Sequence, residues 1–202
     1  MYFLHLFHAG GFMMYPLLLC SIIVVAIFFE RYRYYSSHRS NTERLSAVMT
    51  DSLNRGDIEG LKDALKTEGG IPAGVLLSAV NVYGTKAHQA TIIEGAAAHA
   101  AGLLKNYLNY LDVIVTLSPL MGLLGTVIGM IGSFGVLSTA EGQPFAITGG
   151  VAEALVCTAT GLFVAIIALI AYTYLSQQVS HYISSIEKLS SVYLAIAEGK
   201  EK

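Results

Sequence analysis

Residues 144–175 read PFAITGGVAEALVCTATGLFVAIIALIAYTYL, and Glu153 is the only charged residue in this apolar run. About 20 apolar residues in a helix, at a rise of 1.5 Å each, cross the roughly 30 Å hydrocarbon core of a bilayer. The run is therefore long enough to span a membrane and to project beyond it. Residues 12–29 and 113–137 form two further apolar runs without charged residues, and the first is near the lower length limit for a span. The sequence predicts three transmembrane helices.

The composition excludes several other classes of protein. Only 13% of the 202 residues are charged and 54% are hydrophobic, whereas about 25% charged residues are typical of soluble globular domains. The 12 basic and 14 acidic residues leave a net charge of −2, which does not indicate a nucleic-acid partner. The chain also lacks the G-x-S-x-G, G-x-x-x-x-G-K-S/T and H-E-x-x-H signatures. We therefore expect a protein in contact with membrane lipid that is not an enzyme and that binds no metal or other cofactor.

The basic residues are distributed unevenly along the chain. All 12 lie either between the first and second apolar runs or after the third. Because basic segments next to membrane spans stay in the cytoplasm, we expect a multi-pass protein with an external N-terminus and a cytoplasmic C-terminus. We expect the first run to remain as an anchor, since a cleaved signal peptide would carry Lys or Arg before its apolar stretch.

These observations divide the chain into seven segments and predict an all-α membrane protein with long cytoplasmic helical extensions. The segments are an external interfacial segment (1–11), transmembrane helix 1 (12–29), a cytoplasmic helical segment (30–112), transmembrane helix 2 (113–137), an external turn (138–143), transmembrane helix 3 with a cytoplasmic extension (144–175) and a cytoplasmic amphipathic tail (176–202).

Helix signals continue outside the apolar runs. Asn41 or Thr42 can cap a helix that runs to about Asn54, and Asp57 can cap a second helix. Three residues then break the pattern: Gly69, Gly70 and Pro72.

Two longer helical patterns follow. From Thr91 no helix-breaking residue precedes the second apolar run, which predicts one long helix from the cytoplasm into the membrane. After the third run, apolar residues recur every three or four positions and predict an amphipathic stripe for partner helices. The stripe consists of Val179, Tyr182, Ile183, Ile186, Leu189, Tyr193 and Ile196.

Glu153 is the residue in the third run that most strongly indicates function. Counted from Pro144 as the first helical residue, it lies about 13 Å along the helix axis, close to the middle of a bilayer. An ionised carboxylate at that depth costs several kcal/mol, so we expect it to face a protein interior or a wet cavity and to take up a proton near neutral pH. The alternative is a carboxyl that only helps helices pack and is kept neutral by a hydrogen bond.

Small and polar residues surround Glu153 on the same helix. Cys157 and Thr160 follow it at helical spacing, so this face can line a narrow wet path. Thr158 points about 140° away from Glu153, which places it against a neighbouring helix. Hydroxyl groups in membrane spans also commonly bond to carbonyls of their own helix, and that ordinary role stays open for these threonines.

The second apolar run contains a seam of glycines where another helix can approach closely. The seam consists of Gly122, Gly125, Gly129 and Gly132. Thr126 lies beside it and can offer a hydroxyl to a pore or to another helix.

Two stretches resemble the signature segments of the MotA/TolQ/ExbB proton-channel family. They are residues 118–130, SPLMGLLGTVIGM, and residues 150–162, GVAEALVCTATGL. Both occur in the family's order on the second and third of three spans. The chain resembles the ExbB/TolQ branch most, since flagellar MotA proteins have four spans and lack the glutamate of the last span.

The resemblance implies a pentameric pore in a bacterial inner membrane, lined by the second and third spans. It also implies a pore-bound dimer of a single-span ExbD/TolR-like protein and a TonB- or TolA-like protein that receives force. Glu153 matches the family's pore glutamate, Thr126 its second-span threonine and Thr158 its third-span threonine. Cys157 stands where alanine is common, and Thr160 could share the polar role.

The resemblance therefore implies a proton-channel subunit that couples the proton motive force to rotation or force on that partner, with protons as the coupling ion. A non-conducting membrane scaffold is the alternative from another class. A third hypothesis, an ATP-synthase-like ion-binding ring, is disfavoured because such subunits are short hairpins without a long cytoplasmic segment.

Overall fold

A computed structural model of the chain describes residues 10–82, 86–139 and 144–199. Most of the expected external segment (residues 1–9) and of the expected external turn (residues 140–143) lies outside the described residues. Within the described ranges the chain forms helices and no strand. The helices are α1 (Met14–Ser37), α2 (Thr42–Arg55), α3 (Ile58–Glu68), α4 (Gly70–Val80), α5 (Lys86–Lys105), α6 (Leu108–Thr139) and α7 (Pro144–Gly199).

Three stretches of this chain are helical, long and apolar enough to cross a membrane, and they lie in α1, α6 and α7. The prediction of an all-α protein with three membrane-spanning helices is thereby confirmed. The pentameric pore and the cytoplasmic location of the helical extensions stay predictions.

The chain divides into two compact units. The first, which we call the span unit, consists of the described parts of residues 1–29 and 107–174. The second, which we call the charged unit, consists of the described parts of residues 30–106 and 175–202.

Both predicted helix caps of the charged unit are present. The side chain of Asn41, rather than that of Thr42, accepts a hydrogen bond from the backbone N–H of Arg44 at the start of α2. The side chain of Asp57 accepts one from the backbone N–H of Gly60 at 2.8 Å and so caps α3. Each cap satisfies a backbone donor that the helix itself leaves without a partner.

The expected interruption after α3 occurs at Gly69, whose φ of +63° ends the helix. A new helix, α4, begins directly at Gly70, whereas the sequence pattern indicated only a break. Pro72 is compatible with α4 because it lies in the first turn, where a missing N–H removes no helical hydrogen bond. Both faces of α4 are largely apolar and buried, so it lacks the amphipathic pattern that reveals α2 and α3.

The prediction of one long helix leading into the second apolar run is wrong. The chain leaves helical geometry at Asn106 and Tyr107, and Tyr107 has a φ of +65°. Side chains of α1 instead bond to the last carbonyls of α5: Arg31 Nη1 donates to Leu103 O at 3.1 Å, and Tyr35 Oη donates to Leu104 O at 2.7 Å. These bonds replace backbone partners that a continuous helix would supply.

The apolar stripe that follows the third run is covered by helices of the same chain. Ile186, Leu189 and Tyr193 of α7 belong to one buried core with residues of α2 to α5. The other fully or nearly fully buried members of this core include Leu45, Met49, Leu61, Leu65, Ala73, Leu76 and Ala79. Over this part of α7, the helices that pack against the stripe therefore belong to the charged unit of the same chain.

Candidate functional site around Glu153

Glu153 lies on α7 within the span unit, and its side chain is half-buried. Its carboxyl rests against Gly11, in the segment that precedes α1. A Cβ at position 11 would overlap Oε1 of Glu153 and lie 2.7 Å from its Cδ. No ion pair among the described residues involves Glu153.

The contact with Gly11 relates the carboxyl to the first apolar run. Gly11 directly precedes that run, so Glu153 is level with the predicted external end of the first span. The expected depth near mid-bilayer was counted from Pro144, the first residue of α7. Since Glu153 is the tenth residue of α7 but contacts the segment before α1, α7 begins about nine residues before the level at which α1 begins.

Before and after Glu153 on α7, α6 and α7 approach each other backbone to backbone. A Cβ on Gly161 would come within 2.6 Å of the carbonyl oxygen of Ser118 and 3.1 Å of Gly122 Cα. A Cβ on Gly129 would lie 3.1 Å from the carbonyl oxygen of Gly150. Since carbonyl oxygens and Cα atoms belong to rigid helices, a side chain at these glycines would have to separate α6 from α7.

Gly125 faces Cys157 in the same seam. A Cβ there would overlap Sγ of Cys157 and lie 2.9 Å from its Cβ. Gly132 is different, because nothing lies within 4 Å of the place a Cβ would occupy. The close approach thus involves Gly122, Gly125 and Gly129, and the partner helix belongs to the same chain.

The three candidate threonines make two kinds of hydrogen bond. Thr158 Oγ1 donates across the seam to the carbonyl oxygen of Gly122 on α6 at 3.1 Å. This agrees with the helical geometry that turned Thr158 away from Glu153. Thr126 and Thr160 instead donate to carbonyls of their own helices, at 2.6 and 2.9 Å. None of these hydroxyl groups donates to Glu153 in the part of the chain that the structure describes.

Sequence reasoning did not single out Gly11 or two serines of α6. Ser118 is fully buried, and its Oγ has no hydrogen-bond partner among the described residues. Ser133 is buried against Gly150 and donates to the carbonyl oxygen of Gly129 at 2.9 Å. The signal for both of them was a hydroxyl residue among the apolar residues of the run, whereas nothing local to Gly11 indicates a contact with a residue so distant in the sequence.

Comparison with known proteins assigns the chain to a family. Residues 46–188 match the model of the MotA/TolQ/ExbB proton channel family. The chain belongs to this family. The match covers the glycine seam, the three threonines and Glu153, so the resemblance of the two signature segments is confirmed.

Two relatives from Synechocystis sp. extend the match beyond that range. One, named putative biopolymer transport protein ExbB-like 3, is 35% identical over 167 residues, which are 80% of this chain and 79% of the relative. The other, named putative biopolymer transport protein ExbB-like 1, is 28% identical over 196 residues, which are 93% of this chain and 77% of the relative. Both names place the similarity in the ExbB branch of the MotA/TolQ/ExbB family.

Proposed function

We propose that this chain is the proton-channel subunit of a bacterial inner-membrane motor that converts the proton motive force into rotation or force on a TonB- or TolA-like partner. The observation that carries the proposal is the carboxyl of Glu153. It is the only charged side chain in the three apolar runs, and it lies at the place where α7 meets the segment before α1. Ionisable residues within membrane spans are costly, and they typically belong to proton or ion pathways.

The proposed chemistry is alternation of Glu153 between a carboxylate and a neutral carboxyl. The carboxylate takes up a proton from the external side, and the neutral carboxyl releases it towards the cytoplasm. Each proton that crosses a potential of 100 mV supplies about 2.3 kcal/mol. Neutralising the carboxylate also removes its desolvation cost, so the two protonation states can favour different positions of a partner.

The proposed assembly is a homo-pentamer around a dimer of an ExbD/TolR-like single-span protein. Less than half of each apolar span window is buried inside the chain. Large side chains such as Leu120, Ile131 and Phe163 are exposed in the isolated chain. In the proposed assembly, membrane lipid and neighbouring subunits would cover this surface.

The proposal is tested by Glu153→Gln in cells that depend on the motor. Glutamine has nearly the shape of glutamate but does not titrate near neutral pH, so we expect loss of force-dependent activity with a normal yield of assembled complex. Glu187→Gln is the matched control, since Glu187 is an exposed residue of the same helix outside the apolar run. Full activity of an assembled Glu153→Gln complex would contradict the proposal and favour the non-conducting scaffold.

A further inference from the structure

Gly11 combines two structural features. Its φ of +68° lies in the left-handed region, where side chains other than Asn and Asp are strained. Its missing side chain also leaves the space that the Glu153 carboxyl occupies, since a Cβ there would overlap Oε1 and come within 3.2 Å of Cγ. The first feature concerns only the backbone conformation of Gly11, whereas the second concerns the contact between Gly11 and Glu153.

The backbone conformation by itself has an ordinary explanation. The carbonyl of Gly11 accepts a hydrogen bond from the N–H of Met14 at 3.2 Å, so the segment forms a tight turn into α1. Asparagine would tolerate this turn because its left-handed conformation costs little. The overlap with Glu153 is not relieved in this way, because every residue except glycine carries a Cβ.

The neighbouring residue Gly10 does not share this property. A Cβ at Gly10 would meet the side chain of Met14, at 2.5 Å from Cγ, and would lie 3.3 Å from Cγ1 of Val156. Alanine at position 10 would therefore press on the Met14 side chain and not on the Glu153 carboxyl. Of these two glycines, only Gly11 has the Glu153 carboxyl in the space that a side chain would occupy.

We propose that Gly11 is a positioning residue for Glu153. Because Gly11 has no side chain, its backbone contacts the carboxyl directly, at a place that we call the seat, and covers the carboxyl on the predicted external side. This inference rests on the proposed function, since it concerns the same carboxyl. A side chain at position 11 displaces the carboxyl from this seat and opens it to solvent. Protons from the external side would then reach Glu153 without passing the turn that Gly11 forms.

The test is the reaction of Glu153 with dicyclohexylcarbodiimide, which modifies protonated carboxyl groups in apolar surroundings. The purified full-length complex is labelled over a range of pH, and the fraction of modified Glu153 is measured by mass spectrometry. For Gly11→Ala and Gly11→Asn we expect labelling on the order of tenfold slower at a fixed pH, because a carboxyl that is open to solvent is more often ionised and no longer lies in apolar surroundings. Asparagine keeps the turn and adds the Cβ, so it isolates the overlap from backbone strain.

Three controls make the outcome specific. Gly69→Ala imposes alanine on a similar φ of +63°, but nothing lies within 4 Å of its Cβ, so its labelling profile should match that of the wild type. Gly10→Ala should also match. Glu153→Asp withdraws the carboxyl by one methylene, and adding Gly11→Ala to it should change labelling less than Gly11→Ala does alone.

Wild-type labelling of an assembled Gly11→Asn complex would overturn the positioning role. That outcome leaves the proposed function standing if Glu153→Gln remains inactive. Conversely, slower labelling of the Gly11 variants together with an active Glu153→Gln complex would support the positioning role of Gly11 and reject the proton-carrying function. The two proposals can therefore fail separately.

Discussion

At the scale of single residues, the threonines of the span unit are not equivalent. Thr158 donates to a carbonyl of the facing helix, whereas Thr126 and Thr160 donate within their own helices. Hydrogen bonds between membrane helices contribute about 0.6 kcal/mol on average. Thr158 is therefore the threonine whose hydroxyl holds two helices together.

We predict that Thr158→Val lowers the stability of the protein in detergent by about 0.6 kcal/mol, because it removes that interhelical bond at nearly constant volume. Thr126→Val and Thr160→Val should have little effect, since their carbonyl partners keep the bonds of the helix backbone. The midpoint of thermal unfolding measures all three. An equal loss of stability for the three variants would show that the hydrogen bond from Thr158 to Gly122 O does not stabilise the protein more than the bonds within single helices do.

The hydroxyl of Tyr35 has a comparable role in the charged unit. It is buried, lies beyond the first apolar run, and donates to Leu104 O while the Tyr35 carbonyl accepts from Tyr182 Oη at 2.6 Å. Burial raises the pKa of Tyr35 to about 12. Because folding raises this pKa above the ordinary value of 10.0, the contribution of the phenol to stability is complete below pH 10 and is lost only as the pH rises towards 12.

Tyr35→Phe should therefore destabilise the protein by about 1–3 kcal/mol at neutral pH, since Leu104 O loses its donor in a buried place. Tyr110→Phe is a suitable control because Tyr110 is 63% exposed. Chemical denaturation of the charged unit, followed by circular dichroism, compares the two variants. The same stability for both would contradict a structural role of the hydroxyl at the end of α5.

At the scale of helices, the α6–α7 pair depends on contact between backbones. We predict that Gly161→Ala destabilises this pair by about 1–3 kcal/mol, because the new Cβ would press on the carbonyl oxygen of Ser118. Gly149→Ala, on the same helix, adds a Cβ with nothing within 4 Å and should be tolerated. Thermal unfolding in detergent distinguishes them, and equal midpoints for the two variants would reject a tight seam at Gly161.

The helices also show what local sequence can and cannot predict. The caps at Asn41 and Asp57 were predictable because capping depends on residue type within one turn. The break at Tyr107 was not, since neither Asn106 nor Tyr107 is a strong helix breaker and the carbonyls of α5 find partners on α1. The place of Glu153 on its helix face followed from periodicity, but its contact with Gly11 depends on tertiary packing.

At the scale of the whole molecule, the placement of the basic residues predicts the orientation of the chain in the membrane. A protease site or reporter inserted at Arg55 should be cytoplasmic, and one at Gly142 should be external. Arg55 lies at the end of α2, where an insertion is exposed to solvent. Cleavage at Arg55 from outside intact cells would reverse the proposed direction of proton entry.

Proton flux through the reconstituted complex tests most directly whether Glu153 carries protons. Vesicles containing the native complex, with an imposed pH gradient and membrane potential, report flux through a pH-sensitive dye in their interior. We predict that Glu153→Gln reduces this flux to the level of empty vesicles, while Glu187→Gln conducts like the wild type and both variants contain the same amount of complex. Wild-type flux through the Glu153→Gln complex would contradict a proton-carrying role of Glu153.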